Sequence, residues 1–288
     1  MMKIFANNLD HPEGLAWSPS GWVAAGGEAG QVYRINPATG EANEIANTGG
    51  FILGMAFDGQ DNLYLCDMGQ KAVLCLDTKT GRISDLTTGK VDRELKSPNF
   101  PVFHSDGRLF FSDSGDWGAR NGSIFCIHPN GDVTLESDLA PAFTNGLAID
   151  PTEKYLYIVE SENPQISRCA ISANSLSAPE VVVKMPNTVP DGLVFTKSGD
   201  LVICCYRPDA VFIWNGVQLE EIINDWAGIT LAAPTNAAFI GQNLDRFITA
   251  NLAGRYLAEL EVPYTGAPLK YPLRGFKSYV DQWPLQAL

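Results

Sequence analysis

No stretch of this sequence is apolar over the roughly 18 or more residues that a membrane-spanning helix needs. The opening Met-Met-Lys-Ile-Phe-Ala-Asn-Asn holds no hydrophobic run of signal-peptide length, so a cytoplasmic location is expected. Positive charge is scarce: 20 Lys and Arg stand against 33 Asp and Glu, a net charge of −13. Phosphate-rich partners need basic surface, so neither nucleic acid nor an anionic membrane is expected as a ligand. The six cysteines (66, 75, 126, 169, 204 and 205) include no C-x-x-C pair. Cys75 and Cys126 fall at equivalent places in Val-Leu-Cys-Leu and Ile-Phe-Cys-Ile, so they read as small buried hydrophobes with free thiols. Histidine is nearly absent, with only His11, His104 and His128. There is no H-E-x-x-H, no G-x-S-x-G elbow, no P-loop and no G-x-G-x-x-G opening a helix. Stripes of helical period are missing too, which excludes a helical solenoid.

What is present is a phrase that returns six times. It reads Glu13-Gly-Leu-Ala-Trp, Leu53-Gly-Met-Ala-Phe, Asn99-Phe-Pro-Val-Phe, Asn145-Gly-Leu-Ala-Ile, Asp191-Gly-Leu-Val-Phe and, more weakly, Thr235-Asn-Ala-Ala-Phe. Successive leading residues are 40, 46, 46, 46 and 44 positions apart. A period of this length along a whole chain marks a repeat architecture. Each phrase is followed by a turn and three further short runs rich in β-branched and aromatic residues, bounded by Gly, Asn and Asp. The expected fold is all-β: one domain over 1–288, a six-bladed β-propeller with four-stranded antiparallel blades. Residues 3–7 precede the first phrase where an outer strand is due. They should complete the blade built from 235–263 and close the ring. The tail near 268–288 is expected to pack on the surface, and the one candidate helical turn lies near Val91–Lys96.

Each leading residue opens an innermost strand, so the six should point into the central channel at one end. Glu13 and Asp191 bring two carboxylates there, and Asn99 and Asn145 bring two amide oxygens. Four hard oxygen donors without His or Cys suit Ca²⁺, or Mg²⁺ with more water, over zinc or copper. The competing reading is that Asn-Gly and Asp-Gly are simply turn formers, which accounts for one such pair better than for four donors in phase. His11, two residues before Glu13, is a candidate supporting contact behind the ring. His104 reads as a packed or hydrogen-bonded side chain. Asp67, Asp113 and Glu160 end second strands, where acids cap turns. Asp113 is also a candidate substrate contact, because the loop after it (Ser114 to Gly122) is long and carries Trp117 and Arg120.

His11-Pro-Glu-Gly-Leu-Ala-Trp, Ser97-Pro-Asn, Thr144-Asn-Gly-Leu-Ala-Ile-Asp and Val189-Pro-Asp-Gly-Leu, in this order, resemble the senescence-marker-protein/gluconolactonase (regucalcin-like) family. The resemblance covers nearly the whole chain. It implies a six-bladed propeller with one divalent cation in the channel, and a lactone-hydrolysing enzyme. It implies Glu13, Asn145 and Asp191 as metal ligands and Asn99 as a fourth ligand or a substrate contact. Ca²⁺ leads, with Mg²⁺, Mn²⁺, Fe²⁺ or Zn²⁺ as alternatives. Asp191 is the candidate catalytic residue, as general base toward a water or as a direct nucleophile. Two positions depart from the family pattern. Phe100 follows Asn99 where many members carry Asp, and Ser97 stands where sugar-lactone members often carry Arg. Both make the pocket less polar, so Phe100 joins the substrate-contact set; the expected partner is a small-molecule lactone or ester, with room for a more apolar or aromatic one than a sugar lactone. The rival readings are an organophosphate hydrolase of the diisopropyl-fluorophosphatase type and a noncatalytic calcium-binding propeller. The expected assembly is a monomer or weak homo-oligomer.

Overall fold

The computed structural model describes residues 1–88, 90–91 and 93–273. Six four-stranded antiparallel sheets account for every strand among them, and no helix occurs. Blade 1 runs through Leu15–Trp17, Val23–Gly26, Gln31–Ile35 and Ala42–Asn47. The inner strands of blades 2 to 5 are Ile52–Phe57, Pro98–Phe103, Thr144–Ile149 and Val189–Phe195. Blade 6 comprises Pro234–Ile240, Arg246–Asn251 and Tyr256–Leu260, and its outer strand is the N-terminal Met2–Asn7. That strand pairs antiparallel with Tyr256–Leu260, Met2 facing Leu260 and Asn7 facing Tyr256. The ring therefore closes through a shared blade, as the repeat register requires, and Tyr256–Leu260 is not left as an outer edge. The core lies between the blades. Alternating residues of each sheet interdigitate with the next, as where Trp22, Leu63 and Leu74 pack with Ile52 and Met55.

Two expectations are corrected. The stretch near Val91–Lys96 forms no helix among the described residues. It is an irregular loop whose end is held by Asp113, which accepts the backbone N–H groups of Lys96 (3.0 Å) and Ser97 (2.7 Å). The tail is more than surface packing. Thr265–Leu273 crosses the end of the channel remote from the leading residues, held there by backbone hydrogen bonds to several blades. Lys197 N donates to Thr265 O, Ala267 N to Phe195 O and Gly59 N to Pro272 O. Tyr271 Oη donates to Trp17 O at 2.7 Å, and Lys270 pairs with Glu153 at 3.4 Å. Residues 274–288 lie outside the described residues.

Candidate active site

The local irregularity that builds the site recurs in blades 2 to 6. In each, strand register slips where the phrase begins: between Ile52 and Met55, Pro98 and Pro101, Thr144 and Leu147, Pro190 and Leu193, and Pro234 and Ala237. The leading residue and its successor fall inside the slip, freed from the ladder. Such irregularities re-aim side chains next to functional sites. The residue just before the slip pairs with the acid or amide that ends the second strand: Ile52 with Asp67, Pro98 with Asp113, Thr144 with Glu160, Pro234 with Asn251. These side chains cap the loop that delivers the leading residue. Asp67 accepts Phe51 N and Gln70 N (both 2.9 Å), and Asn251 Oδ1 accepts Ala232 N at 3.2 Å.

The successor is glycine in blades 1, 2, 4 and 5. A Cβ on Gly14, Gly54, Gly146 or Gly192 would sit 2.1, 2.4, 2.2 or 2.5 Å from the carbonyl oxygen of the next blade's leading residue. These glycines have no positive φ, so close approach of neighbouring strands requires them, and the turn-former reading fails. In the other two blades a side chain meets the neighbouring carbonyl instead. Ser112 Oγ donates to Asn145 O (2.7 Å) beside Phe100. Thr235 Oγ1 (2.7 Å) and Asn236 Nδ2 (2.9 Å) donate to Glu13 O.

Glu13, Asn99, Asn145 and Asp191 are all buried. Glu13 Oε2, Asn99 Oδ1, Asn145 Oδ1 and Asp191 Oδ1 make no hydrogen bond, and neither does Asn236 Oδ1. Sequence reasoning missed Asn236, because it stands one place after the leading Thr235 and drops out of phase. Burial pushes the Asp191 carboxyl up to about 7, with the Asn145 amide pulling the other way. Burial and the neighbouring Asp191 hold the Glu13 carboxyl well above the usual carboxylate range. Asn145 Nδ2 donates to Ser161 Oγ (3.1 Å), which itself donates to Pro190 O (2.7 Å). That chain fixes the amide with its oxygen left free. Ser161 and Ser112 also escaped the sequence reading, since nothing local marks a serine at the end of a second strand.

Leaving a buried oxygen unpaired costs about 1–3 kcal/mol, and more for a carboxylate. Five such oxygens, two from carboxylates, fit a hard divalent cation. Glu13, Asn99, Asn145, Asp191 and Asn236 are the residues able to hold it.

The remaining predicted residues are spread more widely. His11 is half-exposed on the rim, its Nδ1 3.2 Å from both Asp10 and Glu28. Asp113 is buried, and besides Lys96 and Ser97 it accepts Gly115 N at 3.2 Å, so its carboxylate works as a cap. Trp117 is 61 % exposed and packs edge-on against Phe143 with centroids 4.9 Å apart; Arg120 is exposed on the same loop. Phe143 precedes Asn145 by two residues, which joins this aromatic pair to the ring through the chain. Phe100 lies half-buried in the wall between blades 3 and 4, among Val102 and Leu147. It lines an apolar cavity of about 170 Å³ in the far half of the channel. None of the ring residues lines that cavity, and its floor is the crossing tail, Ala267 to Tyr271.

With this geometry in view, residues 12–251 match the SMP-30/gluconolactonase/LRE-like family model. The chain belongs to that family. A gluconolactonase of Zymomonas mobilis is 24% identical over 184 residues, 56% of this chain and 50% of the relative, so that match spans about half the relative's length. Among solved structures, a Xanthomonas campestris gluconolactonase superposes with a TM-score of 0.78 at 22% identity, covering 91% of this chain and 89% of the other. A calcium-binding regucalcin of Agrobacterium tumefaciens gives a TM-score of 0.71 at 19% identity over 93% of this chain and 97% of the other. At these identities the structural matches establish the fold. No helix among the described residues is long and apolar enough to cross a membrane.

Proposed function

We propose that this protein is a divalent-metal-dependent lactonase. The observation that carries the reading is the set of buried, unpartnered oxygens on Glu13, Asn99, Asn145, Asp191 and Asn236 at one end of the channel. The family membership and the names of the gluconolactonase relatives supply the substrate class. An all-oxygen donor set favours Ca²⁺, in keeping with the calcium-binding regucalcin relative. When bound, such a cation supplies charge that polarises an ester carbonyl and steadies the oxyanion of the transition state.

The chain's own residues do the rest. Asp191 is deeply buried, and without a cation burial raises its carboxyl to about 7; a bound cation would draw that value down and keep Asp191 a carboxylate, the form that accepts a proton. It takes the proton of a water that attacks the lactone carbonyl carbon, then returns it to the ring oxygen as the C–O bond breaks. The products are a hydroxy acid and a restored carboxylate. Glu13 contributes the second negative charge, and Ser161 holds the Asn145 amide in place. The Trp117–Phe143 pair forms an apolar wall on the rim, favouring lactones with aliphatic or aromatic substituents over bare sugar lactones. Six buried free cysteines suit a reducing compartment.

The test is proton release from a panel of sugar, aliphatic and aromatic lactones. The protein is first stripped of metal, then given Ca²⁺, Mg²⁺, Mn²⁺, Fe²⁺ or Zn²⁺. The expected result is metal-dependent turnover, highest on apolar lactones and lost in Asp191→Asn. Turnover of aryl phosphotriesters with none of the lactones would overturn it, as would full activity in Asp191→Asn.

A further inference from the structure

Far from the channel, the outer hairpin of blade 3 gathers a second set of ligating atoms of different chemistry. Its strands, Ser123–Ile127 and Val133–Ser137, pair with Cys126 opposite Thr134 and Ile127 opposite Val133. With a two-residue period, Cys126, His128, Thr134 and Glu136 share one face of the sheet. One ligand atom each from Cys126, His128 and Glu136 falls within 4.8 Å of the others. His128 Nε2 lies 4.0 Å from Glu136 Oε1. Thr134 Oγ1 stands between them, 2.8 Å from Nε2 and 2.6 Å from Oε1.

We propose that Cys126, His128 and Glu136 form a binding site for a thiophilic divalent metal, Zn²⁺ in type, independent of the channel. A thiolate, an imidazole and a carboxylate are a donor set for zinc and a poor one for calcium. Tetrahedral coordination with bonds of 2.0–2.3 Å sets ligand atoms roughly 3.3–3.8 Å apart. The three atoms need to close by about 1 Å, within reach of side-chain adjustment on a hairpin. The Thr134 hydroxyl or a water completes the set. His128 is partly exposed at the hairpin turn, which gives the ion a way in, while Cys126 is fully buried and closes the site from within.

Binding has to work against a raised thiol. Burial is the largest influence upward on Cys126, Glu136 adds to it, Arg108 lowers it and Asp106 raises it. Arg108 is already committed, its Nε to Asp106 (2.9 Å) and its NH1 to Ser172 O (2.8 Å). The thiol therefore stays protonated until a metal displaces the proton, and binding releases H⁺.

Cobalt is the probe, because thiolate-bound Co²⁺ has a near-ultraviolet charge-transfer band that an all-oxygen site does not produce. The full chain, reduced and metal-free, is titrated with Co²⁺ under anaerobic conditions. The expected result is a saturating charge-transfer band that is unchanged in Asp191→Asn and abolished in Cys126→Ser. His128→Gln, at a partly exposed position that tolerates change, weakens cobalt binding by more than about tenfold. Cys66→Ser, near Glu13, leaves the band intact. Absence of the band in the folded wild-type protein overturns the proposal. So does its persistence in His128→Gln with unaltered affinity, or its loss in Cys66→Ser. Because the readout is independent of turnover, the lactonase reading stands or falls separately.

Discussion

The two ends of the central channel are built from the same six strands and could hardly differ more. At one end the leading residues bring Glu13, Asn99, Asn145 and Asp191, buried and with oxygens unpaired. Three residues further along each strand the channel is walled by Ala16, Ala56, Val102, Ala148, Val194 and Ala238, and the tail from Ala267 to Tyr271 forms a floor. The apolar end gains stability from burial and from the hydrogen bonds that tie the tail to the blades. The oxygen end gives up stability, since one oxygen of each of two carboxylates and three amide oxygens are buried without a hydrogen-bond partner. Proteins tolerate such a cost where function requires it. The contrast is the ground for proposing the chemistry at one end of a channel whose two halves share backbone geometry.

The sharpest way to break this contrast is to make the oxygen end less polar. Asp191→Asn keeps the shape and removes one charge and the proton acceptor. Turnover should fall by about 10³-fold or more in a lactone assay, while circular dichroism shows the fold unchanged. Glu13→Gln should lose metal affinity first, read as a rise in the Ca²⁺ concentration needed for half-maximal activity. If both variants keep wild-type turnover, the oxygen end is only a structural oddity.

Stability against pH sharpens the same comparison. In protein stripped of divalent cations, Asp191 titrates at about 7 instead of its ordinary value near 3.8, and Glu13 is raised in the same direction. A carboxyl with a raised folded-state pKa favours the folded state fully below its unfolded value. That contribution is lost as pH rises through the folded value. The stripped protein should therefore lose stability between about pH 4 and 7, for Asp191 on the order of 4 kcal/mol. Added Ca²⁺ should reverse the loss, and Asp191→Asn should remove the Asp191 share of the slope and leave that of the buried Glu13. Melting temperatures across that range, with and without Ca²⁺, decide it; a flat profile for the stripped wild type would refute the desolvation argument.

Much of this was legible from sequence because it repeats. Six phrases at steps of 40 to 46 residues gave the blade count, the strand order and the closing role of Met2–Asn7. Periodicity also brought four leading residues into phase at the candidate site. What the sequence hid was whatever breaks phase or depends on distance. Asn236 is one place out of step. The role of Gly146 emerges only when the Asp191 carbonyl is seen 2.2 Å from where its Cβ would be. Asp113 looked like a pocket acid, but its oxygens are taken by three backbone N–H groups, a matter of loop geometry. Tail residues 265–273 carry no repeat signal, so their course beneath the channel could not be read.

The collar of glycines between the two ends provides the next test. Gly146→Ala forces a methyl group into the Asp191 carbonyl, so strands of blades 4 and 5 must separate. A loss of about 1–3 kcal/mol is expected from overpacking, measured by denaturant unfolding. Activity per folded molecule should fall as well, since the displaced carbonyl belongs to Asp191 itself. Gly81→Ala, at a turn with open space around it, is the control for an ordinary glycine and carries only the strain of its positive φ.

The smallest effect belongs to the apolar end. Tyr271→Phe deletes the hydrogen bond to Trp17 O and keeps the ring that helps line the cavity. The tail retains its contacts at Phe195, Thr196 and Gly59, so it should stay in place. The Trp17 carbonyl, left without this donor, loses about 1 kcal/mol of stabilisation. Turnover and the Ca²⁺ requirement should be unchanged, because the cavity and the oxygen ring share no lining residue. A marked fall in turnover from this one hydroxyl would mean that the two ends are coupled through the inner strands, and that the floor helps to set the geometry of Asp191.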